Sequence, residues 1–463
     1  MGMKSALFFI TFFFTSFFCI AQSENIEFDS LINYQVKKKE TLYSISKKFI
    51  ADIDDILIYN PKLKSNKLRK NTTIVIPLKK KSVSKLNIND ENKIDTIVNL
   101  DRFKIKKDLI KLAYLAPFKM KTLKLDSLNI MKDFLKEVNL TTISINFYNG
   151  IVAAMDELEK SNVKVSVDIF DTENEINKVL SIKKANDFHN YDLIIGPLIK
   201  RNYNAFHEGK LNTNSISPLV YDEINLNSST IVPEANAVLK REKMLTIIDS
   251  LILENQDQCV LIISDSINFK SRDLLLKRFP LAEIINLNKI KNSVDPKIAD
   301  SLLGNHKENW VFLETKKPNL ISSVTSMLNA QISNERKIRL FSTVSNQNYE
   351  NPNVNYEKLG NLSFMYPSNS KPNYSSKFTD LQKNFLNKFG KYPEKISLTA
   401  FDIVKDILFR ISVSKSFKKS IDMGETRSIQ NKFNYIYDDK TGFENTSFFI
   451  LRHNDLDIIE HQN

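Results

Sequence analysis

The 463-residue sequence predicts an α/β protein with a small strand–helix–helix–strand (βααβ) module near its N terminus, followed by a larger domain of two α/β lobes with a hinged cleft. Two observations support this prediction. Strand-like and helix-like patterns alternate along most of the chain, which is typical of parallel sheets covered by helices on both faces. The chain is also longer than one hydrophobic core usually supports, and 42% hydrophobic residues are enough for two or three packed domains.

The first 21 residues have the composition of a secretory signal peptide. Met1–Lys4 is short and basic, and residues 6–20 form an apolar run dominated by Phe that is too short to span a membrane comfortably. We therefore expect cleavage after Ala21, a spacer at residues 22–33, and a protein of the periplasm or cell envelope. Lipid anchoring at Cys19 is disfavoured because the bulky Phe18 precedes it.

Cysteine content and charge limit the classes of function and partner that this sequence predicts. After cleavage Cys259 remains, within an apolar run, which predicts a small buried side chain and no internal disulfide. The net charge is +12, and residues 34–81 contain thirteen Lys or Arg against four acids. A basic segment outside the cytoplasm favours anionic polymers or membrane surfaces, and it excludes nucleic acid as a partner because that compartment holds none.

Residues 34–79 carry the pattern of the small module. Residues 34–36 alternate apolar and polar side chains, as in a half-buried strand. Thr41 can cap a first helix whose apolar residues recur at three- and four-residue spacing. A second helix must end before Pro61, since proline cannot continue it, and residues 74–76 predict the closing strand.

This module resembles the LysM family. The family pattern is met, in order, by Tyr34-Gln-Val36, Thr41-Leu42-Tyr43-Ser44-Ile45, Asn60-Pro61 and Ile74-Val75-Ile76-Pro77. At two positions where the family usually has glycine, this chain has Lys39 and Asn71. Asn tolerates the left-handed backbone that such a glycine often implies, whereas Lys does so less well.

The resemblance implies binding to N-acetylglucosamine chains, and hence to peptidoglycan, in a shallow groove between two loops. Such a groove supplies backbone hydrogen-bonding groups and an apolar seat for the N-acetyl methyl group. By position, the groove residues are Glu40, Thr41, Leu42, Tyr43, Asn60, Pro61, Lys62 and Leu63. The alternative is that Leu42 is only a core residue and Pro61 only a helix stop. One module is expected to bind weakly, so avidity or a second contact is expected.

Residues 80–106 predict a flexible linker, because they are rich in Lys, Asn, Ser and Asp and lack a sustained period. Residues 107–463 predict the two-lobed domain. Its apolar strand-like runs lie at residues 110–116, 163–170, 193–195, 260–263, 283–285, 310–313 and 338–341. Helical patterns between these runs place the carboxyl ends of the strands at a common cleft.

This larger domain resembles the type I periplasmic-binding-protein fold. The resemblance is carried by Phe147–Leu158 as the first helix, Asp192–Leu198 as the third strand and turn, Phe378–Asp402 as the helix pair around Phe389-Gly390-Lys-Tyr392-Pro393, and Gly442–Asn445 as the terminal turn. The candidate residues at the cleft edge are Pro117, Phe118, Asp171, Thr172, Gly196, Pro197, Leu198, Asp265, Ser266 and Tyr366.

The turn after the third strand bears on which of two candidate functions this domain has. Amino-acid-binding relatives place hydroxyls and free amides after the glycine, but here Gly196-Pro197-Leu198 supplies no hydroxyl and Pro197 removes one amide. The stretch is more similar to lipoprotein activators of penicillin-binding proteins, which implies a scaffold or regulator of envelope assembly with a partner such as a cell-wall synthase. A receptor for an amino acid or another small solute is the alternative.

The sequence does not indicate an enzyme, and no cofactor or metal is expected. None of the nine glycines lies close enough to another for a phosphate loop, and the five histidines lack zinc-ligand spacing. The string Ser44-Ile-Ser-Lys47 falls in the LysM helix without companion motifs. Acidic pairs at Asp156–Glu157 and at Asp171 with Glu173 leave a cell-wall hydrolase as the remaining alternative.

Overall fold

The structure is a computed structural model, and the chain forms two compact units, Met1–Lys93 and Ile94–Asn463. The structure describes residues 28–36, 42, 45, 53–61, 63, 70–79, 97–123, 133–209, 211–216, 224–254, 258–288, 293–305, 308–344, 347–350, 354–372 and 379–461. Across these residues, no helix combines the length and apolar character that a membrane span requires. The predicted signal peptide lies outside the described residues.

The small unit is built on an antiparallel strand pair. Strand β1 (Phe28–Gln35) pairs with β2 (Thr73–Lys79), and helix α1 (Ile53–Tyr59) lies between them in sequence. Leu42 and Ile45 have helical backbone at the position of the predicted first helix. The buried apolar core of the unit consists of Val36, Leu42, Ile45, Ile56, Ile74 and Ile76. These elements agree with the predicted strand, helix and closing strand.

Both strands are longer than the sequence pattern indicates. β1 begins at Phe28, inside the predicted spacer, because residues 28–33 find backbone partners in the second half of β2. β2 runs through Pro77 to Lys79, with Leu31 opposite Pro77. The tolerance expected of Asn71 is confirmed: its φ is 66°, and its N–H donates to the Val36 carbonyl at 2.8 Å.

The large unit alternates strands and helices throughout. Its strands are β3 (Leu109–Ala116), β4 (Lys164–Asp171), β5 (Leu193–Ile195), β6 (Ser215–Ile216), β7 (Ile231–Val232), β8 (Gln258–Ser264), β9 (Glu283–Ile285), β10 (Glu308–Glu314), β11 (Lys337–Phe341), β12 (Met365–Ser368), β13 (Thr426–Arg427), β14 (Lys432–Phe433), β15 (Tyr435–Asp438), β16 (Gly442–Asn445), β17 (Phe449–Asn454) and β18 (Asp457–Glu460). Its α-helices are α2 (Leu140–Lys160), α3 (Ile176–Ala185), α4 (Lys200–His207), α5 (Ala237–Glu254), α6 (Phe269–Arg278), α7 (Pro296–Leu302), α8 (Pro318–Asn329), α9 (Tyr356–Asn361), α10 (Asp380–Phe389) and α11 (Lys395–Ser414). Short 3-10 helices occupy Leu100–Arg102, Met120–Thr122, Phe188–Asn190, Ser266–Asn268, Gln347–Glu350 and Phe417–Met423.

The first lobe contains a four-stranded parallel sheet in the order β4-β3-β5-β6. Its strands contribute buried side chains to two hydrophobic clusters, one shared with α2 and α11 and the other with α3 and α4. A sheet buried on both faces explains why its central strand β3 is an almost unbroken apolar run.

Helices α2 and α11 cross at very short range. A Cβ added to Gly150 in α2 would lie 2.2 Å from the Ser397 carbonyl oxygen and 2.6 Å from the Ala400 Cβ. The Ser397 hydroxyl donates to the Asn146 carbonyl at 2.8 Å. The contact joins segments about 250 residues apart in sequence, so the first lobe requires both of them.

The second lobe contains a seven-stranded sheet in the order β18-β17-β12-β11-β10-β8-β9. The five strands from β12 to β9 run parallel, and β17 and β18 add an antiparallel edge. Two apolar clusters cover its faces. Cys259 lies in β8, partly buried, with its thiol 3.4 Å from the Leu302 carbonyl. The predicted two-lobed α/β architecture is confirmed.

The chain passes between the lobes three times. The crossovers follow β7 at residues 233–236, β12 from residue 369 onward and β16 at residues 446–448. Residues 442–445, expected as a terminal turn, form strand β16 instead, because β15 and β7 pair with its two edges. Each lobe is therefore assembled from separate stretches of sequence.

The large unit begins earlier than the sequence pattern indicates. Residues 97–106, assigned to the linker, lie on the first lobe: Val98 donates its N–H to the Glu425 carbonyl at 2.7 Å, and Lys106 donates to the Ser412 carbonyl at 2.9 Å. Leu100 and Ile105 pack against the core that contains α2 and α11. Their scattered apolar side chains are held by tertiary contacts, which no local period could indicate.

Candidate functional site

The loop after α1 is fixed by one side chain. Asn60 donates its amide to the Ile56 and Val75 carbonyls, both at 2.6 Å, and accepts from the Val75 N–H at 2.8 Å. Its own carbonyl accepts from the Leu63 N–H at 2.9 Å. Asn60 therefore connects the end of α1 to β2 and positions the loop between them. Its side-chain amide is used by these contacts within the module.

The other predicted groove residues divide by burial. Leu42 is buried in the core of the small unit, as the alternative interpretation of this residue supposed. Pro61 is exposed, and Leu63 is half-buried against the core. The predicted groove residues Glu40, Thr41, Tyr43 and Lys62 lie outside the described residues. Among the described ones, Pro61 is therefore the exposed side chain of this loop.

In the first lobe, the predicted cleft residues hold two loops together at the carboxyl ends of β3 and β4. The Asp171 carboxylate accepts from the backbone N–H groups of Lys119 at 3.1 Å, Met120 at 2.9 Å and Glu173 at 2.9 Å. Thr172 is buried and donates its N–H to the Ala116 carbonyl at 3.0 Å. Pro117 and Phe118, which follow β3, are also buried. The Asp171 carboxylate therefore connects the loops after β3 and β4 by hydrogen bonds.

The turn after β5 is closely packed. Gly196 has φ of 91°, and a Cβ there would lie 2.2 Å from the Leu115 carbonyl oxygen. Its N–H donates to the Ile216 carbonyl at 2.7 Å, while Pro197 and Leu198 are buried. Below the turn, burial lowers the pKa of His207 to about 3, so this imidazole is neutral at ordinary pH. Of the backbone donors in this turn, the Gly196 N–H is therefore engaged and Pro197 supplies none.

In the second lobe, Asp265 and Ser266 follow β8. The Asp265 carboxylate accepts from the N–H groups of Ile267 at 3.1 Å and Asn268 at 3.2 Å, and from the Thr315 hydroxyl at 2.5 Å. Ser266 is exposed, whereas Asp265 is buried. Asp265 therefore caps the turn that leads into α6.

Tyr366 does not line the cleft edge, which corrects the prediction. Its side chain is buried in the core of the second lobe, with ring centroids 4.9 Å from both Tyr349 and Phe364. The adjacent His453 has its pKa lowered to about 4 by burial. The residue lies on strand β12, whose alternation turns this side chain inward.

Sequence reasoning missed a buried carboxylate at the same end of the second sheet. Glu314, the last residue of β10, accepts from the Thr343 N–H at 2.7 Å and from its hydroxyl at 2.8 Å. Complete burial raises the pKa of Glu314 above its usual value. Glutamate directly after the apolar run Trp310–Leu313 was a usable signal, because charged side chains are seldom buried without a partner.

Sequence reasoning also missed the asparagines at the crossovers. The Asn445 amide donates to the carbonyls of Pro233, Lys432 and Ser447 at 2.9 to 3.1 Å. Asn369, in the second crossover, donates its amide to Glu234 at 2.8 Å. These two side chains join all three crossovers.

The acidic pairs considered for hydrolysis are engaged elsewhere. Asp156 pairs with Lys388 at 2.7 Å, and Glu157 with Lys160 at 2.7 Å. Glu173 pairs with Lys121 at 2.9 Å. Within the part of the chain that the structure describes, no group of three or more His, Cys, Asp or Glu residues could hold a metal ion.

Comparison with known proteins identifies the small module. The LysM domain family model matches residues 34–77, so the chain contains a LysM domain. No curated protein gives a significant match.

Several solved structures are similar to the chain. A putative branched-chain amino acid ABC transporter protein from Rhodospirillum rubrum has 10% identity and a TM-score of 0.49, covering 76% of this chain and 100% of that one. An amino acid ABC transporter substrate-binding protein from Pseudomonas fluorescens Pf-5 has 12% identity and a TM-score of 0.44, covering 76% and 95%. A branched-chain amino acid transporter substrate-binding protein from Streptococcus pneumoniae, in complex with isoleucine, has 11% identity and a TM-score of 0.40, covering 76% and 97%. At these values the similarities do not indicate a ligand for this chain.

Proposed function

We propose that this protein is an exported, non-enzymatic envelope protein that attaches to peptidoglycan through its LysM domain and presents its large unit as a scaffold or regulator to a partner such as a cell-wall synthase. One observation carries the scaffold role: three carboxylates at the carboxyl ends of the two sheets are already engaged. Asp171, Asp265 and Glu314 accept hydrogen bonds from the protein's own backbone and hydroxyl groups. Binding a polar solute there would require breaking those bonds.

The attachment role follows from the LysM domain. The family binds N-acetylglucosamine chains, and Asn60 holds the loop on which the groove depends. The basic surplus of residues 34–81 adds attraction to the anionic wall. The apolar run at residues 6–20 supports export into the compartment where that wall lies.

Retention on purified sacculi tests the attachment. We expect the chain lacking residues 1–21 to co-sediment with sacculi, and the same chain with residues 28–79 also deleted to fall to background. Asn60→Asp should weaken binding about tenfold, because it replaces the amide donor to the Ile56 and Val75 carbonyls with a repelling oxygen.

Asn71→Gly is the matched control for that experiment. Glycine adopts the left-handed backbone of Asn71 without strain, so this variant should bind like the wild type. Circular dichroism of each variant separates loss of binding from loss of folding. Equal retention of the full and deleted chains would rule out the LysM domain as the attachment site.

A solute receptor is the second candidate, and one observation favours it. The Thr172 hydroxyl and the Asn202 side-chain oxygen are fully buried near the carboxyl end of β4, and neither has a hydrogen-bond partner among the described residues. Such atoms are rare in folded proteins and a bound polar ligand could satisfy them.

A thermal-shift screen separates the two candidates. For the scaffold, we expect that amino acids and other small polar solutes at millimolar concentration leave the melting temperature of the large unit unchanged. A receptor would melt at a higher temperature with its solute, because a ligand at a hundred times its Kd stabilises the folded state by about 2.7 kcal/mol. A solute-dependent rise that Thr172→Val abolishes would favour the receptor.

A further inference from the structure

The hairpin of β13 and β14, residues 426–433, is anchored in the first lobe. The buried Asp402 carboxylate in α11 accepts hydrogen bonds from the turn of this hairpin. Its donors are the Ser428 hydroxyl at 2.5 Å and the Gln430 and Asn431 N–H groups at 2.8 and 3.0 Å. Arg410, also in α11, donates to the Phe433 carbonyl at 3.2 Å. The hairpin is therefore attached to α11 by side-chain hydrogen bonds. We call residues 426–433 the interlobe clamp.

The interlobe clamp contacts the edge of the second lobe through two cations. Arg427 pairs with Glu460 at 2.8 Å, and Lys432 pairs with the same carboxylate at 3.0 Å. The Lys432 ammonium also lies 4.8 Å from the centre of the Phe449 ring. Only 12% of the Lys432 side chain and 19% of the Glu460 side chain are exposed, so solvent screens this pairing less than a surface ion pair.

The interlobe clamp also joins the second crossover. Asn431 forms an isolated bridge with Ser370 and donates its side-chain amide to the Asn369 carbonyl at 3.1 Å. Lys371 donates its N–H to the Gln430 carbonyl at 2.8 Å. A movement of one lobe against the other would have to break these bonds together with the ion pairs.

The first described residues of the large unit lie against the same hairpin. Val98 donates its N–H to the Glu425 carbonyl, directly before the clamp, at 2.7 Å. A Cβ on Gly424 would lie 3.2 Å from the Val98 side chain. Residues 97–101 and the clamp together line a cavity of about 200 Å³ above Phe409. Because the LysM domain precedes these residues in the chain, its covalent connection reaches the large unit beside the clamp.

We propose that residues 97–101 and the interlobe clamp act as one conformational device, which holds the two lobes at a fixed separation and makes that separation depend on the segment that follows the LysM domain. The device would let the wall-attached end of the chain influence the surface shown to a partner. This influence of the wall-attached end on a partner surface rests on the proposed function. The fixed separation of the two lobes does not rest on it.

Pulsed electron spin resonance distances test the device. Spin labels on Lys184→Cys in the first lobe and Lys277→Cys in the second, in a Cys259→Ala chain lacking residues 1–21, report the separation of the lobes. We expect one narrow distance for the otherwise unchanged chain. Arg427→Gln with Lys432→Gln should broaden the distribution about twofold, because both contacts with Glu460 are lost.

Matched variants complete the experiment. Lys136→Gln with Lys160→Gln removes the same charge from exposed ion pairs within the first lobe, and it should leave the distribution unchanged. Exchanging the charges by Arg427→Glu with Glu460→Arg, in a chain that also carries Lys432→Gln, should restore part of the narrow distance, which keeps the test valid if the first variant folds poorly. Val98→Pro, which removes the amide donor to Glu425, should broaden the distance, and Val98→Ala should not.

Two results would overturn the proposal. A wild-type distribution in the Arg427→Gln, Lys432→Gln variant would show that the clamp does not hold the lobes. A wild-type distribution in Val98→Pro would show that the N-terminal segment has no part in it. Sacculi are absent from these measurements, so a chain that failed to bind peptidoglycan would contradict the proposed function and leave this result intact.

Discussion

Gly150→Val is expected to destabilise the large unit by on the order of 3–5 kcal/mol. The atoms that the new side chain would meet at 2.2 and 2.6 Å are the Ser397 carbonyl oxygen and the Ala400 Cβ, both fixed to the backbone of α11. No rotamer change can relieve such a contact, so α2 and α11 must move apart. Scanning calorimetry of the chain lacking residues 1–21 measures the effect.

The control for this prediction lies on the same helix. Glu159→Val introduces the same side chain at an exposed position of α2, and its effect should stay within about 0.5 kcal/mol. If Gly150→Val melted with the wild-type protein, the close crossing of α2 and α11 would not be needed for stability, and the described packing would be contradicted.

Arg410→Met is expected to cost about 3–5 kcal/mol, because it leaves a carboxylate buried without its partner. Arg410 is fully buried and donates to Asp406 at 2.9 Å, to the Ser420 carbonyl at 3.1 Å and to the Gly424 carbonyl at 2.9 Å. Burial raises the pKa of Asp406, and the Arg410 charge opposes that rise. Urea denaturation at pH 7 measures the loss.

A double-mutant cycle separates the charge from the hydrogen bonds. Asp406→Leu with Arg410→Met removes both charges, and it should recover part of the stability that the single variant loses. Recovery should stay incomplete, since the Ser420 and Gly424 carbonyls still lack their donor. A double variant no more stable than Arg410→Met would show that the lost hydrogen bonds, and not the unpaired charge, dominate.

Local sequence patterns predicted the helices and strands that bury apolar side chains at a regular spacing. The apolar run at residues 110–116 became β3, and the stripe from Phe401 to Ile411 became part of α11, because burial on a fixed period leaves a readable trace. The left-handed backbone of Asn71 was also predictable, since it depends on one residue type at one position of a known pattern.

The cleft-edge residues show why the site was harder to predict. A sequence indicates that Asp171 and Asp265 follow strands, but not that each carboxylate is already engaged by nearby backbone N–H groups. Asn445 illustrates the same limit, because one of its acceptors, the Pro233 carbonyl, lies 212 residues away. Tyr366 was misplaced because a short apolar strand does not reveal which of its faces meets the core.

The long sequence separation across the α2–α11 contact sets an order of events during synthesis. A ribosome finishes residues 140–160 well before it reaches residues 395–414. The small-residue face around Gly150 therefore stays exposed while about half of the chain is still being synthesised. Contacts that close so late slow folding and prolong the exposure of apolar surface. The nascent protein thus depends on being kept from aggregation until its last quarter is available.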